Sequence, residues 1–323
     1  INAERQGMEY PMICWNGGRP DENGKYNDRT KKGMIGVITH EVGHNFFPMI
    51  INSDERQWTW MDEGINSFVE ILAEYKYDPE LFPLSKYPKN IVGYMSGNQD
   101  QLSPIMTQGD NVFNFSSNAY AKPAAGLFML RQTIMGPEMF DHAFKTYAKR
   151  WKFKHPTPAD FFRSMEDASS MDLDWFWRGW FYTTDVTDIG IKNVKSLYIS
   201  DKPDERTAKL KEKYSQYFEN LGDLIYINDN KENANPKAME NYTDTKEVPS
   251  YLYAVEFEKP GGLVMPIIVE LTFDDGTKKR HTFPAQIWMK NDVSVKRIFA
   301  VAKEITSIVV DPDFETADVD TSN

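Results

Sequence analysis

Apolar residues run almost unbroken from Gly33 to Phe47 and stop at Pro48, which predicts a helix over 33–47. Ile65, Phe68, Val69, Leu72 and Tyr75 then recur at helical spacing, so a second helix is expected over 58–77, ended by Asp78-Pro79. A loop-rich stretch follows to about Ser117. Three punctuated helices come next. One covers 119–135 and closes at Gly136; another covers 137–152 with Pro137 in its first turn. The third runs from an N-cap at Thr157 to about Ser169. Asp172 or Asp174 caps a final aromatic helix ending at Tyr182. Ahead of all these, residues 1–32 read as irregular, with one extended apolar piece around Met8–Trp15.

Beyond residue 184 the period changes. Residues 186–250 are charged and Asn-rich and read as a linker with one helix over 205–218. From 251 onward the pattern is β. Apolar residues occupy 267, 269, 271 and 273, Asp275-Gly276 marks a turn, and 279–283 returns; 295–301 and 305–310 add further strands. The fold expected is α+β: a mainly helical domain over 1–185, the linker over 186–250, and a small antiparallel β domain, sheet or sandwich, over 251–323.

Composition narrows the chemistry. The 323 residues include 37 basic and 48 acidic side chains, a net charge of 37 − 48 = −11, which disfavours nucleic acid or an anionic membrane as partner. No apolar run approaches the roughly 18 residues that a membrane span needs. Cys14 stands alone, so neither an intrachain disulfide nor a cysteine-rich zinc site can form. Any metal must be held by histidine and carboxylate. Ile1 in place of an initiator Met suggests a processed chain or a fragment.

His40-Glu41-Val42-Gly43-His44 supplies such a set. On a helix His40 and His44 lie one turn apart on one face and reach one ion, while Glu41 stands about 100° around, near a water on that ion. A catalytic zinc site needs a third protein ligand and an open position. Glu63, in Trp60-Met61-Asp62-Glu63-Gly64, lies 63 − 44 = 19 residues on, room for a turn and a returning helix. His142, His155 and His281 have no such neighbours. Cys14 reads as a small packing residue, and Arg178 as a cation among the rings of 175–182.

HExxH, eighteen residues, then Glu in a W-x-x-E-G context resembles the gluzincin aminopeptidases of the aminopeptidase N and leukotriene hydrolase type. That family usually has Asn where this chain has Asp62. Its G-x-M-E-N segment resembles Gln6-Gly7-Met8-Glu9-Tyr10, with Met8-Glu9 kept and the first and last positions changed. The resemblance implies that Gly7, Met8 and Glu9 line the substrate site and that Glu9 holds the substrate's free α-amine. The family also has a tyrosine in Y-x-K-G about eighty residues after the first metal histidine; Tyr120-Ala121-Lys122-Pro123 sits there, since 120 − 40 = 80. Tyr120 is then the donor to the developing oxyanion. Thr157–Phe162 and Trp175–Tyr182 also look like the family's helical domain.

The resemblance implies a thermolysin-like catalytic domain with one zinc ion on His40, His44 and Glu63, Glu41 as general base, and peptides as substrates. Family members carry a large N-terminal β domain before the G-x-M-E-N segment, so the expected partner is that missing domain of the same polypeptide. Without it the chain is expected to hold zinc yet hydrolyse poorly. Other readings are an endopeptidase, an epoxide hydrolase or a peptide-binding module; Glu9 favours an exopeptidase.

Overall fold

Asn27 opens the first long helix, accepting a hydrogen bond from the Thr30 amide at 2.8 Å. This cap sets the helix start five residues earlier than the apolar run alone suggests. The computed structural model describes residues 1, 7–84, 87–219, 221, 224–239 and 249–323. Gln6 and residues 240–248 of the expected linker lie outside them. Contacts divide the chain into two units. The first comprises residues 1–188, 261–266 and 313–319, and the second 189–260, 267–312 and 320–323.

The first unit begins with a short antiparallel pair, β1 (Gly7–Met8) and β2 (Trp15–Asn16). α1 (Asp28–Gly43) follows and stops short of Phe47; Asn45 and Phe46 instead turn back on the carbonyls of Val42 and Gly43. α2 (Ile65–Tyr77) is entered through a π-helical turn, Trp60–Gly64. The stretch expected to be loop contains α3 (Lys89–Met95). A second π turn, Ser116–Ala121, leads into α4 (Lys122–Met129), and a third, Leu130–Ile134, leaves it. The single helix expected over 119–135 is thus three segments, wound π, α and π. α5 (Pro137–Trp151), α6 (Pro158–Ser169) and α7 (Asp174–Tyr182) match their punctuation. At the head of α6, Thr157 and Asp160 satisfy each other's backbone amides in a capping box.

Aromatic rings weld these helices together. Phe161 of α6 is fully buried and meets Trp60, Tyr147 and Trp177 with ring centroids 5.8, 4.8 and 5.9 Å away. Phe162 stacks on Trp177 at 4.5 Å and on Trp60 at 5.9 Å. Arg178, expected among these rings, is exposed. The cation that does lie among aromatics is Lys122. It is 2% exposed, 5.5 Å from the Trp180 ring, and donates to the Thr183 carbonyl at 3.2 Å. Burial lowers its proton affinity to a pKa of about 8.

The second unit holds two antiparallel sheets. β3 (Gly190–Ser200), β4 (Tyr226–Asn228), β5 (Tyr251–Glu258) and β8 (Ser294–Val301) form one, in the order β4-β3-β5-β8. β6 (Ile267–Phe273), β7 (Lys278–Phe283) and β9 (Ile305–Val310) form the other, in the order β7-β6-β9. Phe283 of the second sheet approaches Phe257 and Phe299 of the first at 6.4 and 6.1 Å, so the sheets face each other. β3 falls in the expected linker. Its middle, Lys192–Ser196, is exposed, which removes the alternation that would betray a strand. The helix after it, α8 (Glu205–Lys213), ends earlier than 218 in a short 3-10 turn. Among the described residues no helix is long and apolar enough to cross a membrane. The whole is α+β.

Phe161→Ala is expected to destabilise the helical unit by about 3–5 kcal/mol through lost burial and a residual cavity. Urea unfolding followed by tryptophan fluorescence measures it; a loss below about 1 kcal/mol would show that the ring cluster does not carry the core.

Candidate active site

The last turn of α1 carries His40, Glu41 and His44 inward. His44 is 1% exposed and Glu41 5%. His40 Nε2 stands 3.0 Å from His44 Nε2, and Glu63 Oε2 lies 3.1 and 3.3 Å from the two nitrogens. Ligands on a tetrahedral zinc about 2.0–2.1 Å away stand about 3.3 Å from one another. The three donor atoms therefore fit one such ion and leave a fourth direction open.

Both imidazoles are held by Nδ1, which leaves Nε2 as the nitrogen that can ligate once it gives up its proton. His44 Nδ1 lies 2.7 Å from the Phe47 carbonyl, which can only accept, so Nδ1 carries the ring hydrogen. His40 Nδ1 lies 2.9 Å from Glu70 Oε2, and an ionised carboxylate imposes the same tautomer. Asn66 donates to the His40 carbonyl at 2.8 Å and ties α2 to the end of α1.

Glu63 owes its place to the π turn, a rare winding that recurs at functional sites. The second π turn brings in Tyr120, whose hydroxyl donates to Glu63 Oε1 at 2.6 Å. The two turns pack through Gly64. A side chain there would collide with the Pro123 ring, the residue that replaces the family's usual glycine. β1 supplies the other wall. A Cβ on Gly7 would overlap Glu41 Oε1, so glycine here leaves the carboxylate its room. Met8 is half-buried and pairs with Trp15 across the hairpin. Glu9 brings a carboxylate oxygen to within 4.8 Å of both Glu41 and a His44 ring nitrogen.

Electrostatics follow from this crowding. Burial alone would depress His40, but hydrogen bonds to Glu63 and Glu70 outweigh it and raise the pKa to about 9. Burial of His44 is likewise overcome by Asp62 and Glu63, which lift it to about 10. Burial would raise Glu63; His40, His44 and Tyr120 instead pull it to about 2. Glu41 is raised by burial against the pull of the two histidines. Burial and the Glu63 charge hold the Tyr120 hydroxyl firmly protonated.

All of His40, Glu41, His44, Glu63, Tyr120, Glu9 and Gly7 gather here, with Met8 between the last two. Cys14 is half-buried beside them, its thiol donating to the Glu41 carbonyl at 3.2 Å. His155 Nδ1 instead donates to the Asn52 carbonyl, away from the cluster. Sequence reasoning missed Glu70. A signal existed: it lies 70 − 63 = 7 residues after Glu63, two helical turns along the same face.

Glu70→Gln is expected to weaken zinc binding about 10–100-fold, measured by chelator competition, because Gln is a poorer acceptor from the His40 ring. Unchanged affinity would remove Glu70 from the support of His40.

Residues 21–180 match the peptidase family M1 domain. Glutamyl aminopeptidase of Sus scrofa is 24% identical over 186 residues, covering 56% of this chain and 19% of the relative. Aminopeptidase N of Plutella xylostella is 26% identical over 162 residues, 48% of this chain and 17% of the relative. The chain thus spans about a fifth of the length of these relatives. A solved structure, Legionella pneumophila aminopeptidase A in complex with aspartic acid, shares the fold with a TM-score of 0.55 at 14% identity, over 94% of this chain and 28% of that one. The His40, Glu41, His44 and Glu63 motif lies inside the matched segment, so residues 21–180 of this chain belong to peptidase family M1, of the gluzincin aminopeptidase type.

Proposed function

We propose that this chain is the zinc-binding, thermolysin-like catalytic region of a metallopeptidase that removes N-terminal residues from peptides. The observation that carries the reading is the meeting of three metal-ligand atoms within 3.3 Å of one another, with a buried carboxylate and a tyrosine hydroxyl beside them. His40, His44 and Glu63 hold one zinc ion. When bound, the ion supplies Lewis-acid activation of a water and of the scissile carbonyl.

Each residue of the chain then has a separable task. Glu41 takes the proton of the attacking water and passes it to the departing amine. Its Oε2 is buried without a hydrogen-bond partner, and burial raises its proton affinity, both useful in a base that must also return the proton. Gly7 keeps that carboxylate unobstructed. Tyr120 turns from Glu63 to the oxyanion of the tetrahedral intermediate, a contribution of about 10²–10³ in rate for donors of this kind. Its hydroxyl is fully protonated at working pH, as a donor requires. Glu9 pairs with the α-ammonium, so the bond one residue along is the one presented. A charged anchor this near the centre leaves no room for chain on the amine side, which favours exopeptidase over endopeptidase action.

The test is Glu41→Gln. Zinc content is expected to stay at one ion per chain while turnover of alanyl-coumarinyl amide falls by about 10²–10⁴. Near-normal turnover in this variant would sink the mechanism.

A further inference from the structure

Tyr120 has to leave Glu63 and meet the oxyanion at one place, so whatever fixes the second π turn fixes that contact. The residues two positions before and after it, Asn118 and Lys122, are both polar and both buried. Two residues along a helix is roughly half a turn, which puts them on the side of the segment away from Tyr120.

Each is anchored to backbone. Asn118 donates through Nδ2 to the Ser103 carbonyl at 2.6 Å and to the Pro104 carbonyl at 3.3 Å. Lys122 Nζ donates to the Thr183 carbonyl at 3.2 Å, just past the end of α7. The Lys122 carbonyl in turn accepts from Trp180 Nε1 at 2.9 Å. The two anchoring segments are themselves joined, since the Met106 amide donates to the Phe181 carbonyl at 3.1 Å. The π turn, segment 103–106 and the end of α7 thus close a ring with hydrogen bonds at its three corners. One turn further on, a Cβ at Gly126 would overlap the Trp180 ring, so α4 lies directly against α7. A rare winding persists only when its surroundings over-determine it, and this ring does so.

The cost of the arrangement shows in Lys122. Burial pulls its pKa down to about 8, against the charge of Asp185. An apolar side chain of similar volume is commonly no worse for stability than a buried charge. What such a side chain lacks is the bond to Thr183.

We propose that Asn118 and Lys122 are positioning residues for Tyr120: by tying the turn on both sides of it to one hydrogen-bonded ring, they set where its hydroxyl stands. The inference rests on the reading of Tyr120 as the oxyanion donor, and it adds two residues that act through Tyr120 and not on the substrate. A misplacement of about 1 Å can cost about 10²-fold in rate. The metal-binding side chains hang from other elements, His40 from α1, His44 at its end and Glu63 from the first π turn. Loosening the ring therefore lowers the rate and leaves the metal in place.

The test uses two near-isosteric variants, Lys122→Met and Asn118→Leu, each made in the parent chain and in Tyr120→Phe. Zinc content, crystal structures of the zinc-loaded parent and variants, and kinetics on alanyl-coumarinyl amide are measured. With Tyr120 present, each variant is expected to keep one zinc and to show the Tyr120 hydroxyl displaced by about 1 Å. Its kcat is expected to fall about 10–100-fold, with KM within about twofold of the parent. In Tyr120→Phe, which has no hydroxyl to place, the further loss is expected to shrink to within about twofold. Equal losses in both backgrounds mark a merely structural role and overturn the proposal. A Tyr120 hydroxyl that stays in place, or loss of zinc from both variants, also overturns it. A displaced hydroxyl in variants of a parent chain with no turnover supports the placement and removes the hydrolase reading.

Discussion

Two imidazoles and a carboxylate, brought from separate helical segments to within 3.3 Å of each other in a half-buried space, impose the constraint on which the rest of the helical unit depends. Such groups are expensive to desolvate and tolerable only when their hydrogens and charges are spoken for. The structure meets that demand with an outer ring of partners. The Phe47 carbonyl and Glu70 fix the two ring tautomers, Tyr120 caps the second oxygen of Glu63, and Asn66 fastens the helix end that carries both histidines. Each partner orients a lone pair toward one common point.

Holding that point still is the work of the aromatic core. Trp60 begins the π turn that delivers Glu63, and it is gripped by Phe161, Phe162 and Phe181 from α6 and α7. Packing at crystal-like density transmits position with little slack. Residues about a hundred positions later in the chain therefore set where Glu63, the proposed third ligand, stands. The same logic explains the π turns. An ordinary helix through 60–77 or 116–129 would rotate Glu63 or Tyr120 away from the histidines, and the irregular winding is a cost accepted at the site.

Much of the centre could be read without coordinates, because its information is local. The spacing of His40 and His44 is a helix repeat, and Glu63 follows at a distance that a helical hairpin can close. Tyr120 and Glu9 could be picked out only by resemblance, since nothing in their immediate neighbours marks a catalytic tyrosine or an amine anchor. What stayed hidden was tertiary. The overlap that reserves Gly7 for glycine is with Glu41, thirty-four residues away (41 − 7 = 34). β3 escaped because its centre faces solvent, and α3 because its 7 residues are too short to show a convincing period.

The central claim is that His40, His44 and Glu63 together hold one zinc ion. Zinc K-edge absorption with elemental analysis, on the parent chain and on His44→Ala, tests it most directly. The account predicts one zinc per chain with only nitrogen and oxygen ligands, and loss of stoichiometric zinc in the variant. Zinc retained at one ion per chain in His44→Ala, or sulfur in the coordination shell, would contradict it.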